Sequence, residues 1–366
     1  MIYIAAFSFF SVFVFAFYNF LPKNLSLLAV GSFFALFAAL RGIEVAADLV
    51  VYQDWYAYRG EENGFLERPG YFEVLYFFLN DAFSAVGIHF RLFVGFLAFF
   101  AVLLKLHVVM SFAKTAWAAG AGVLLYAFTF YLLHEFTQIR AGLAVAFIFV
   151  AVQALVHEKH KAFIGWVLVA AGFHSSAIMA FLLLLPYHGR HARWLDWGLF
   201  GVTGLVYTLS ALGVNLGVLL MNMLSAFDPR VALYISMAES GHSDAANPFS
   251  ASAMLLLALM LCLAGVSNDN PQPPGLDRHE VKAMVLIRRS VLIGLSCLAL
   301  FSPIPELALR LFEINIALLP ILVAIVFSQQ GWLLQKFLLG LWATAVAAIY
   351  IGREEGLVQP YVLFFV

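Results

Sequence analysis

Four residues with chemistry in their side chains stand at the ends or breaks of long apolar runs. Arg140 opens a run long enough to cross a bilayer, and His174, with Ser175 and Ser176, interrupts the next one. Arg41 closes an early run, and Arg310 begins a late one, four residues after Glu306. Hydrocarbon tolerates an ionisable group only where protein or water receives it, so these side chains must face inward. Guanidinium forks bind phosphate oxygens bidentately and do not lose their proton. Several of them in a low-dielectric site suit a pyrophosphate. A histidine or carboxylate beside them, His174 or Asp48, could take a proton from an attacking hydroxyl. Each residue also has a plain structural alternative. Arg41 could snorkel at the end of its span. Arg140 could pair with nearby Glu135, and Arg310 with Glu306 or Glu313 at helical spacing. His174 could be a satisfied core histidine, and Asp48 a solvated loop carboxylate.

The elements that must position these residues are membrane helices. The chain has 366 residues, 64% hydrophobic and only 11% charged, and apolar runs recur from end to end. This predicts an all-α polytopic integral membrane protein with about 11–13 transmembrane or re-entrant helices, where a β-barrel would show short alternating segments. Formal charge is −1 with no extended basic patch, which argues against nucleic acid. Cys262 and Cys297 lie within apolar runs and read as small core residues. Neither cysteines nor histidines show metal-ligand spacing, so no metal and no cofactor is expected. Residues 2–20 lack the basic start and small-residue cleavage site of a signal peptide and read as a retained span.

The whole chain, 1–366, reads as one transmembrane domain. Spans are expected near 2–20, 25–40, 92–112, 116–133, 139–156, 194–212, 250–265, 283–301, 307–327 and 333–351. Arg288 and Arg289 suggest that the buried part of the 283–301 run begins near Ser290. Four basic short loops, around Lys23, Lys114, 157–161 and 188–193, are assigned to the cytoplasm. Arg41, the segment 134–140, residues 228–248 and Pro303–Pro305 then share the opposite face. Residues 41–90 become a first external loop carrying surface helices. The 71–88 segment holds Glu73, Asn80 and Asp81, and so lies along the surface rather than crossing. The 163–187 run is read as a re-entrant pair broken at Gly172-Phe173-His174-Ser175, with a single tilted span as its rival. Residues 226–248 form an external loop containing Asp228, Arg230 and Tyr234, of which Arg230 and Tyr234 are candidate substrate contacts. Residues 267–282 form a Pro-rich cytoplasmic loop. No internal repeat supports an inverted-repeat transporter.

These residues, in this order, resemble the EpsG family of Wzy-type polysaccharide polymerases. An arginine ending the second span precedes a short turn with an aspartate and then a tyrosine: Arg41, Asp48 and Tyr52. An acidic residue precedes Pro-Gly-Tyr, at Glu67 to Tyr71. Ile139-Arg140 opens a span that ends in basic residues and is followed by Phe173-His174-Ser175-Ser176. Glu306 and Arg310 start a late span. Ala46 stands where the family has a glycine, and Ala141 where it usually has a glutamine.

The resemblance implies a GT-C-like membrane glycosyltransferase that is metal-independent. It would polymerise undecaprenyl-pyrophosphate-linked repeat units into O-antigen or exopolysaccharide, from the periplasmic side of a bacterial inner membrane. Arg140, His174, Asp48 and Arg310 would be its catalytic residues, with Arg41, Tyr52, Glu306, Tyr234 and Arg230 in substrate binding. Its partners would be the lipid-linked glycans and the bilayer, with a chain-length regulator and a flippase as further candidates. A flippase or transporter for lipid-linked glycans, a membrane acyltransferase and an O-antigen ligase are the alternatives.

Overall fold

The computed structural model describes residues 22–42, 45–57, 73–185, 189–214, 216–224, 235–236, 245–267 and 274–352. The expected first span, the 67–71 motif, Arg230 and Tyr234 lie outside the described residues, as does most of the 226–248 loop.

The chain is an all-α, multi-helix membrane protein. Its helices are α1 (Lys23–Ala39), α2 (Ala47–Ala57), α3 (Val74–Ala85), α4 (Phe90–Ser111), α5 (Ala116–His134), α6 (Ile139–Val156) and α7 (His160–Phe173). A 3-10 helix, Ser175–Leu184, comes next. The order continues with α8 (Gly189–Ala211), α9 (Leu216–Leu224), α10 (Ala251–Cys262), α11 (Arg278–Leu300), α12 (Pro305–Ile316), α13 (Leu319–Ser328) and α14 (Leu333–Gly352). Among the described residues, five helices are long and apolar enough to cross a membrane: α4, α5, α6, α11 and the stretch Pro305–Ser328. A sixth is added if α8 and α9 form one span. Several further apolar helices are shorter, α3 among them. At 12 residues, α3 is about 18 Å long.

Local chemistry sets the helix ends. Thr115 caps α5 by accepting from the Ala118 N–H at 3.1 Å, and Ser250 caps α10 in the same way from Ala253. Asp277 and Glu280 form a reciprocal capping box on α11. The 163–187 run breaks where the sequence suggests. Helix α7 ends at Phe173, His174 is extended (φ −153°, ψ 119°), and the 3-10 helix begins at Ser175.

The chain divides into two compact units. The first comprises residues 1–178, 319–336 and 343–366. Its core is built where α4 packs on α1 and α6, α6 on α7, and α5 on α13. Gly122 of α5 permits that last approach, since a Cβ there would stand 2.8 Å from the Pro320 carbonyl oxygen. Within α5, one π-helical turn, Tyr126–Tyr131, shifts the register. It lets the Tyr131 hydroxyl donate to the Phe34 carbonyl (2.7 Å) and the Tyr126 hydroxyl to Glu135 (2.6 Å). Lys105, in the middle of α4, pairs with the same Glu135, and both side chains are fully buried. Glu135 is therefore neutralised by Lys105, not by Arg140.

The second unit comprises residues 179–318 and 337–342. Its centre is α11, packed against α8, α10 and α12. Arg288 and Arg289 lie mid-helix and are 1% exposed, so burial does not begin at Ser290 as the sequence suggested. Asp196 of α8 is the reason. Its two oxygens accept from Arg288 Nη2 (2.6 Å) and Arg289 Nε (2.5 Å). The carbonyls of Leu263 and Val266 take two further Arg288 bonds. A carboxylate and backbone oxygens stand in for the water these guanidiniums lose.

Candidate active site

Four elements of the first unit bring one cluster together. Glu73 sits at the N-cap position of α3. Arg140 is the second residue of α6. His174 is the residue that ends α7. Tyr52 and Trp55 come from α2, and Tyr76 from the first turn of α3. Two close approaches set the frame. Helix α3 packs on α7 at Gly172, where an added Cβ would lie 2.8 Å from Leu75 side-chain atoms. Gly142 lets α6 start against the chain at His134, with only 2.9 Å from an added Cβ to that carbonyl. Side-chain bonds from Asn80 to the Trp55 carbonyl (3.2 Å) and from Ser84 to the Tyr56 carbonyl (3.1 Å) fasten α2 to α3.

Glu73 is the hub. Its Oε2 accepts from Arg140 Nη1, and its Oε1 lies 2.6 Å from His174 Nδ1. The backbone N–H of Ser175 also donates to it, at the start of the 3-10 helix. Burial raises the Glu73 carboxyl, but the His174 bond, the Arg140 charge and the Ser175 amide outweigh that, and hold it below the ordinary carboxylate range. An ionised carboxylate can only accept, so His174 Nδ1 carries the hydrogen and donates. In the neutral ring this leaves Nε2 as the lone-pair nitrogen. The His174 side chain is 14% exposed.

Arg140 is held by aromatic faces as well as by charge. Its Cζ lies 4.7 Å from the Trp55 ring centroid, 5.4 Å from Tyr52 and 5.9 Å from Tyr76. Its Nε donates to the Tyr52 hydroxyl at 3.4 Å. Burial raises the phenols of Tyr52 and Tyr76 above the ordinary value, against the pull of Arg140. Both remain protonated near neutral pH, so neither acts as a base.

The cluster contains three residues singled out in the sequence: Arg140, His174 and Tyr52. Asp48, exposed in the first turn of α2, lies one turn before Tyr52 and contributes to its electrostatic environment. Arg41 does not snorkel. It is 1% exposed, stacks on Phe136 with Cζ 4.4 Å from the ring centroid, and donates to the Ala38 carbonyl. Glu306 and Arg310 lie on α12 of the second unit, and Arg310 is exposed there. Glu73, Trp55 and Tyr76 join the cluster with no motif in the sequence to mark them. The signal at Glu73 is an acidic residue at the start of a short apolar helix, which argues against a lipid-facing span.

The family model for the EpsG family matches residues 24–363, nearly the whole chain. The chain belongs to the EpsG family. No curated protein and no solved structure matches it. Membership supports a polysaccharide-polymerase or glycosyltransferase-like role in a membrane. This EpsG-family protein holds a charged cluster within a few residues of three apolar helices, at Glu73, Arg140 and His174.

Proposed function

We propose that this protein is a metal-independent, GT-C-like glycosyltransferase of a bacterial inner membrane, polymerising undecaprenyl-pyrophosphate-linked repeat units at the periplasmic face. The observation that carries this reading is the Glu73–His174 pair beside Arg140. His174 Nε2 takes the proton from the acceptor sugar's hydroxyl, and Glu73 holds the ring in the tautomer that can do so. The acceptor oxygen bonds to the donor's anomeric carbon as the bond from that carbon to the pyrophosphate oxygen breaks. The electron pair leaves with the lipid pyrophosphate. Arg140 meets the charge that develops there. Arg41, in the same unit, is the further arginine assigned to the pyrophosphate. Tyr52 braces Arg140, and Asp48 orients the acceptor.

The test is direct. Purified protein in nanodiscs is given a synthetic lipid-pyrophosphate oligosaccharide, with and without chelator, and products are separated on a gel. A ladder of repeat-unit multiples that persists with chelator is expected. Intact substrate throughout contradicts the reading. A single transfer to a different lipid acceptor, with no ladder, assigns the chain to ligation instead.

A further inference from the structure

Glu73 is shared. One oxygen is committed to Arg140 and the other to His174, at a depth where the Glu73 side chain is 6% exposed. Arg140 is the cation here best placed to meet an anionic ligand, with a side chain 19% exposed. Its fork is already engaged by an internal carboxylate. A second observation bears on the same spot. The Tyr76 hydroxyl is buried and has no hydrogen-bond partner among the described residues, although Tyr76 stacks beside Arg140 and feels the charges of both Arg140 and Glu73. A buried phenol left without a partner is costly unless something else completes it.

We infer that the Glu73 carboxylate is a built-in stand-in for the donor's phosphate: the pyrophosphate displaces it from Arg140, takes up the Tyr76 hydroxyl, and leaves Glu73 wholly to His174. This deepens the pyrophosphate reading above and rests on it. The exchange keeps a guanidinium neutralised while the site is empty, where an unpaired buried charge would be expensive. It also couples the two substrates. Until the donor is seated, the Glu73 charge is divided between Arg140 and His174. Afterwards it faces His174 alone, so acceptor activation follows donor binding. The guanidinium stays in place throughout, because the faces of Tyr52, Trp55 and Tyr76 hold it whichever anion it binds.

The probe is inorganic pyrophosphate, titrated calorimetrically into the full-length protein in nanodiscs. Removing the competing carboxylate with Glu73→Gln should tighten binding by about tenfold or more, the weight of one charge-assisted contact. Tyr76→Phe should weaken it, and Arg140→Gln should abolish it. A second measurement uses wild-type protein enriched in 13C-glutamate, so it does not depend on how the Glu73 variant folds. Pyrophosphate should shift one carboxylate stretch in the infrared difference spectrum. Pyrophosphate that binds wild type and Glu73→Gln equally, or binds with no carboxylate shift, overturns the displacement while leaving the pyrophosphate reading intact. No binding to either protein overturns the pyrophosphate reading itself, and the displacement with it.

Discussion

The Arg140 and His174 contacts hold Glu73 ionised, and this ties its charge to stability as well as to chemistry. Its folded-state titration lies below the ordinary glutamate range. The stabilisation is therefore fully present above the unfolded value and is lost as pH falls through the lower folded value. The melting temperature of wild type should exceed that of Glu73→Gln by a constant margin from about pH 7 down to about pH 5, narrowing below that. A margin that instead grows on acidification would mean the carboxylate is not held ionised. This residue also lies beyond what sequence spacing can reveal. Arg140 and His174 were legible because a charge at a span start and a histidine within an apolar run conflict with a lipid surroundings. Their common partner lies 67 and 101 residues away in sequence, and no spacing rule links such positions. Lys105 failed to stand out for the same reason: its neutralising Glu135 is 30 residues on.

At the scale of elements, the site depends on how closely α3 lies on α7. Gly172 has no room for a side chain against Leu75, whereas Gly165, on the same helix, has open space around it. Gly172→Val should push α3 away and separate Glu73 from His174. A fall in polymerisation rate on the order of tenfold to a hundredfold is expected, with protein level retained. Gly165→Ala should behave as wild type. Equal rates from both variants would show that this packing does not position the pair. The break at His174 was readable, because a Gly-Phe-His-Ser sequence inside an apolar run interrupts hydrocarbon-facing helix. The π-helical turn Tyr126–Tyr131 was not readable, because the acceptor it gives the Tyr131 hydroxyl, the Phe34 carbonyl, lies 97 residues away.

For the whole molecule, the long unbroken apolar runs made the architecture legible, since such runs cross hydrocarbon as helices and a barrel would need short alternating segments. The charges inside were harder to read. Arg288 and Arg289 were expected to precede the buried part of their run, yet both are buried around Asp196. Asp196→Asn would leave two guanidiniums uncompensated at the centre of the second unit. It should destabilise the protein by about 3–5 kcal/mol, seen as a lower melting temperature in detergent. An unchanged melting temperature would mean that backbone carbonyls alone satisfy the arginines.

The central claim is that Glu73 and His174 act as one catalytic unit beside Arg140. Initial rates of polymer formation by Glu73→Gln, His174→Gln and the double variant test it most directly, with protein folding checked by gel filtration. Each single change should cost about 10²–10⁴ in rate, and the double should be no slower than the worse single. Losses that multiply, or a His174→Gln protein that polymerises at the wild-type rate, would contradict the account.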